Sequence, residues 1–252
     1  MRAIARSALS LALVLLAPAA HAGPGVNMRW SQCFGDGGTQ NRDFACNTNV
    51  GSDQLVCSFE LGSEVLQVIG QELTIRLVAS SATLPAWWEF RNTGACRQFS
   101  LGMNTVVSPI AVNCTDWSNG ASAGGIGAYT VGGVFGPPSA VIKIAAAVPP
   151  EAVAHLLPGT EYFSCNIVIN HTKTVGTGAC AGCTVPVCIV LIALKVTTLV
   201  DANDVTLTGP AHAPDSFSAT WQGPTNPDPF LSCPRPVPTL QSTWGAVKSL
   251  YR

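Results

Sequence analysis

Cysteine offers the first chemistry in this chain of 252 residues, which holds ten of them and crowds Cys180, Cys183 and Cys188 into the stretch GTGACAGCTVPVC. A Cys-x-x-Cys step can ligate metal, carry a redox couple or be stapled to cysteines elsewhere. A metal knuckle needs a second ligand pair, and here it would have to be assembled from Cys188 with Cys233 or His171. A redox pair needs a helix N-terminus to lower its thiol pKa, whereas these cysteines have Gly-rich chain before them and β-branched residues after. Disulfides are therefore expected, with the stretch forming the tip of a hairpin between the last two main strands. The even count allows Cys33, Cys46, Cys57, Cys96, Cys114, Cys165, Cys180, Cys183, Cys188 and Cys233 all to pair. Short separations favour Cys33 with Cys46 and Cys96 with Cys114, leaving Cys180, Cys183, Cys188 and Cys233 for two further bridges. Cys57 and Cys165 point where apolar residues point, so an inter-sheet bridge and two buried thiols are both open readings.

Other reactive types are scattered. His155, His171 and His212 fall in no nucleophile or zinc-protease motif. Glu60, Glu64, Glu72 and Glu89 offer carboxylates for glycosidase chemistry, which depends on a separation that sequence does not reveal. Asp201-Ala-Asn203-Asp204 lacks the glycine and terminal glutamate of an EF-hand loop, and Gly35-Asp36-Gly37-Gly38 reads as a turn. No cofactor is implied. Trp87 and Trp88 are adjacent, so on a strand one would face the core and the other could stack on a sugar unless a loop covers it. Asn113 and Asn170 begin glycosylation sequons.

The elements that must position these residues read as strands. Period-two alternation marks Leu55–Leu61, Leu73–Val78, Val141–Ile144 and Phe163–Ile169, and Cys188–Val200 is a β-branched run. The strands are interrupted by a Gly-rich connection at Asn119–Gly127. The one helical signal, Pro149–Leu157, is short and is closed by Pro158-Gly159.

Arg2 and Arg6 precede an apolar run from Leu9 to Leu16 and then Ala20-His21-Ala22, the pattern of a secretory signal peptide cleaved after Ala22. The run is far shorter than the roughly 20 residues a spanning helix needs. The expected parts are a signal peptide at 1–22, a β domain with an N-terminal stapled loop at 23–208, and a Pro-rich strap and tail at 209–252. Charged residues make up 11% of the chain, against a usual share of about 25%. Without the leader the net charge becomes about −3. With no basic cluster, nucleic acid is excluded as an expected partner.

Leu156-Leu-Pro-Gly-Thr-Glu-Tyr162 runs straight into an alternating strand. It resembles the corner of fibronectin type III and related immunoglobulin-like domains, where the tyrosine hydroxyl bonds back to upstream backbone. That resemblance implies a sandwich with Tyr162 at the corner. The Trp87-Trp88 segment, the Lys173–Cys188 stretch and the terminal Trp244-Gly-Ala-Val-Lys-Ser-Leu-Tyr-Arg252 together look like a group of uncharacterised secreted bacterial proteins. This likeness implies export and carries no activity or site residue with it.

The expected fold is all-β, an immunoglobulin-like or jelly-roll-like β-sandwich with stapled loops and a C-terminal strap. The expected role is non-enzymatic binding or assembly, secreted, periplasmic or at the cell surface, with another surface protein or a glycan as partner. The alternative is a secreted carbohydrate-active or other hydrolytic enzyme. Residues 240–252, helical in pattern with Trp244, Val247 and Leu250 on one side, suit a docking or sorting tag.

Overall fold

In the computed structural model, residues 23–91 and 93–223 are described. The signal peptide, Cys233, the later part of the strap and the tail lie outside these residues. No described helix is long and apolar enough to cross a membrane. Thirteen strands are present among the described residues: β1 (Gly25–Trp30), β2 (Asn41–Arg42), β3 (Ser52–Glu60), β4 (Val65–Ala79), β5 (Leu101–Asn104), β6 (Cys114–Asp116), β7 (Ala123–Val131), β8 (Ser139–Ala147), β9 (Ala154–Leu156), β10 (Glu161–Asn170), β11 (Val187–Thr198), β12 (Val205–Leu207) and β13 (Ser218–Trp221).

They form two sheets packed as an all-β sandwich. One runs β1-β3-β10-β5, with β6 also on β10; the other runs β2-β13-β11-β4-β8-β7, with β9 on β4 and β12 on β11. Alternation dictates which side chains meet between them. Met28, Leu55, Cys57, Phe59, Ile167 and Ile169 from the first sheet share one core with Leu73, Ile75, Leu77, Ile142, Ile144, Ile189 and Leu191 from the second. A polar pair joins the sheets within this core: Gln71 Nε2 donates to the Ser164 carbonyl at 2.9 Å, and Ser164 Oγ donates to Gln71 Oε1 at 2.8 Å. Both residues are buried. Each satisfies the other, which removes the penalty of an unpaired polar group.

The long alternating segments all became strands, but one face assignment changes. A bulge between Phe163 and Cys165 flips the strand. Phe163 therefore packs on the outer face with Val56, Cys33 and Cys114, while Cys165 enters the main core.

Four local expectations are corrected. The Pro149–Leu157 helix is a short 3-10 turn at Pro150–Ala152 followed by β9. The Gly-rich connection holds β7, because eight backbone pairings to β8 hold it extended despite its weak propensity. The Pro-rich segment contains β13, an interior strand between β11 and β2. Its Ser218–Trp221 run contains no proline and is entirely buried. Finally, the Cys180–Cys188 stretch is not a hairpin tip. Its flanking strands β10 and β11 belong to different sheets, so it is a crossover at one end of the sandwich.

The corner tyrosine bonds as expected: the Leu157 N–H donates to Tyr162 Oη at 2.8 Å. From Gly209 the chain then lies along the outer side of β1. The Val26 N–H donates to the Gly209 carbonyl at 3.0 Å, Ala211 N–H to the Val26 carbonyl at 3.3 Å, and Met28 N–H to the Ser216 carbonyl at 2.6 Å.

Candidate functional site

The disulfides staple loops across the fold rather than within local turns. They join Cys33 to Cys114, Cys46 to Cys183 and Cys96 to Cys180. The local pairs Cys33–Cys46 and Cys96–Cys114 are thus corrected. Sequence proximity misleads because the inter-sheet crossover carries Cys180 and Cys183 back over the loops that hold Cys96 and Cys46. In the chain-entropy model, separations of 81 to 137 residues correspond to about 4–5 kcal/mol for each bridge. Cys188 is buried on β11 and is not a free thiol. Among the described residues the free thiols are Cys57 and Cys165, both fully buried. They face each other on adjacent strands of one sheet, β3 and β10, so the inter-sheet bridge is also corrected. A hydrogen bond to Cys165, with burial, pushes the Cys57 thiol well above its ordinary pKa.

The tryptophan pair does not lie on a strand. Trp87 and Trp88 form part of the 3-10 turn Ala86–Trp88, and both are fully buried. Their rings meet Trp221 of β13 at 5.1 and 5.6 Å, and Phe90 closes over them. Neither offers a stacking face to a ligand. Arg97 locks the cluster: it is fully buried, its guanidinium sits 3.5 Å from the Trp87 ring centre, and it donates to the carbonyls of Trp87, Thr172 and Asn170. Burial pulls its pKa down to about 9, which still leaves it cationic at neutral pH.

The four nominated carboxylates do not converge. Glu64 contacts His155 at the surface, Glu89 pairs with Arg91 at 3.1 Å, and Glu72 is exposed on β4. Glu60 is buried and pairs with His212, whose ring stacks on Phe34 at 4.4 Å. Beside it lies a carboxylate that the sequence reading missed, Glu161. Its oxygens accept from the N–H groups of Phe34 and Gly35 at 3.1 and 2.7 Å and from the Ser58 hydroxyl. Arg29, nearby, ion-pairs with Asp215 at 3.6 Å and donates to the Ser218 carbonyl at 3.0 Å. Burial raises the Glu60 pKa; His212 pulls it down and Glu161 pushes it up. These groups clamp the Cys33 loop and the strap onto the outer face of the first sheet. They are committed to that contact and do not line the cleft between β5 and β7.

The two calcium candidates are likewise structural. Asp204 accepts from the Thr198 N–H at 2.8 Å and pairs with Lys195 at 2.8 Å. Asp36 accepts from the N–H groups of Val112 and Asn113 at 2.9 and 2.8 Å. His171 is buried against Asp53 at 2.8 Å and stacks on Phe44. Asn113 is exposed, and Asn170 spends its side-chain oxygen on the Thr172 N–H.

One open region is the side of the sandwich where β5 and β7 end their respective sheets. Between these strands lies a cleft of about 390 Å³, whose lining includes Phe90, Arg91, Leu101, Met103, Ile126 and Tyr129. Tyr129 Oη donates to the Trp88 carbonyl, which ties β7 to the aromatic cluster. Among the described residues β7 pairs with β8 on one side only, and six of its nine residues are exposed. An unpaired edge presents a row of backbone N–H and C=O groups, which is the recognition chemistry of strand addition. Sequence reasoning missed this site because glycine-rich chain signals a loop; Ile126, Tyr129 and Val131 were the available hint. No family model, curated protein or solved structure matches the chain.

Proposed function

We propose that this chain is an exported, non-enzymatic β-sandwich of bacterial type that binds or assembles at the cell surface or outside the cell. The observation that carries the reading is the open side of the sandwich: a cleft between two strand edges that combines aromatic and aliphatic side chains with polar backbone and Arg91, and that has no carboxylate among its described lining residues. Three long-range disulfides suit an oxidising compartment. The signal-peptide pattern and the low charge support the same reading. The hydrogen-bonded Tyr162 corner adds support for an immunoglobulin-like relationship. The hydrolase alternative loses ground because Trp87 and Trp88 are sealed and because Glu60 and Glu161 hold a loop and a strap in place.

Expression with the native leader, followed by fractionation and assay on a polysaccharide panel, tests the proposal. The disulfide-bonded chain is expected outside the inner membrane, without turnover. Retention in the cytoplasm as a fully reduced chain would refute export. Hydrolysis abolished by Glu60→Gln would refute the non-enzymatic reading.

A further inference from the structure

The sandwich treats its sheet edges unequally. The β1 edge is covered by the strap, with backbone bonds at Val26, Met28 and Ala211. β5 has four residues and β2 has two, each offering less than half the edge of β7. β7 differs from all of these, being nine residues long, largely exposed, and carrying the sequence AGGIGAYTV without a charge or a proline. Charged side chains and proline are the devices that ordinarily blunt an edge strand, and β7 has neither. A bulge between Ile126 and Ala128 adds local twist. That twist opposes flat, open-ended stacking while leaving short runs on either side of Gly127 free to pair.

We propose that the β7 edge is an interaction surface for a second copy of this chain, the two β7 strands pairing antiparallel about a twofold axis. Antiparallel self-pairing sets a strand against its own sequence, so any charge near the axis would meet its own kind. An uncharged strand avoids that repulsion, which favours a like copy over a partner chosen by charge. The small side chains of Gly124, Gly125, Gly127 and Ala128 put nothing bulky between the approaching backbones. Val134, 95% exposed just beyond the strand, supplies an apolar contact at each end. Pairing uses up the one long bare edge among the described residues, so assembly closes at two. This inference rests on the assembly reading above and names its partner.

The test uses the mature chain purified with its disulfides intact. Its mass is followed by light scattering over about a hundredfold range of concentration, since a concentration-dependent pair shifts with protomer concentration. Gly125→Lys is the diagnostic variant: a Cβ at Gly125 would meet nothing within 4 Å, so the substitution spares the fold. The wild type is expected to dimerise, and Gly125→Lys to weaken the dimer about tenfold or more. Mixing Gly125→Lys with Gly125→Glu should restore a heterodimer, which a misfolded variant could not do. Amide exchange in Ala123–Val131 should slow in the dimer. A wild type monomeric at every concentration, or a dimer indifferent to Gly125→Lys, overturns the pairing. If that chain is nevertheless found outside the cell, the broader export and binding reading survives; if it is found reduced in the cytoplasm, both fall.

Discussion

Replacing Cys46 and Cys183 together by alanine removes the bridge that spans the longest stretch of chain, a separation of 137 residues. Chain entropy assigns this cross-link about 5 kcal/mol, acting through the unfolded ensemble that it restricts. Domains of this kind have a net stability of about 5–15 kcal/mol, so the loss is a large share of the whole. With about 2–4 °C in Tm for each kcal/mol at this size, the double variant should melt about 10–20 °C lower. The folded contacts should largely persist, since Trp221 Nε1 still donates to the Cys183 backbone carbonyl at 2.8 Å and Gln222 still donates to the Phe44 carbonyl. Calorimetry and denaturant titration without reductant make the measurement. The m-value should rise as well, because an unfolded chain without this link exposes more surface. An unchanged Tm and m-value would refute the argument that this bridge acts through the unfolded state.

Other outcomes follow from the same geometry. Cys57 and Cys165 should resist alkylation at pH 8 in the folded protein and react once it is unfolded, since burial and their mutual hydrogen bond hold Cys57 protonated; labelling before unfolding would contradict this placement. Arg97→Met keeps much of the apolar stem but strands carbonyls of Trp87, Thr172 and Asn170, at a cost of about 2–4 kcal/mol by chemical denaturation; a neutral effect would mean that the guanidinium does not lock the cluster. The raised pKa of Glu60 means that its protonated form favours the folded state: its contribution is present at low pH and is lost as pH rises through the raised value. Glu60→Gln should therefore flatten the stability profile across that window, and an unaltered profile would remove Glu60 as its source.

The strands were legible where burial on one face imposes alternation, as at Leu55, Cys57 and Phe59. Pairing of the cysteines was not legible. Cys46 meets Cys183 and Cys96 meets Cys180 only because β10 and β11 lie in different sheets, a topological fact with no local signature. The bulge before Cys165 escaped for a similar reason, since one extra residue inverts a face while leaving composition unchanged. Trp87 and Trp88 were read on strand geometry, whereas Pro85 leads them into a 3-10 turn that buries both rings. β13 and β7 show tertiary context overriding local preference. A proline-rich neighbourhood hid one and glycine hid the other, yet each is held by a neighbouring strand. Glu161 was overlooked as part of the corner motif, although a carboxylate at a buried strand start must find donors, and here the Cys33 loop provides them.

The most direct measurement is non-reducing peptide mapping of the chain recovered from outside the inner membrane. The account predicts Cys33–Cys114, Cys46–Cys183 and Cys96–Cys180 in the exported protein, with Cys57 and Cys165 as thiols. Recovery of Cys33–Cys46 and Cys96–Cys114, or of a fully reduced chain confined to the cytoplasm, would contradict it.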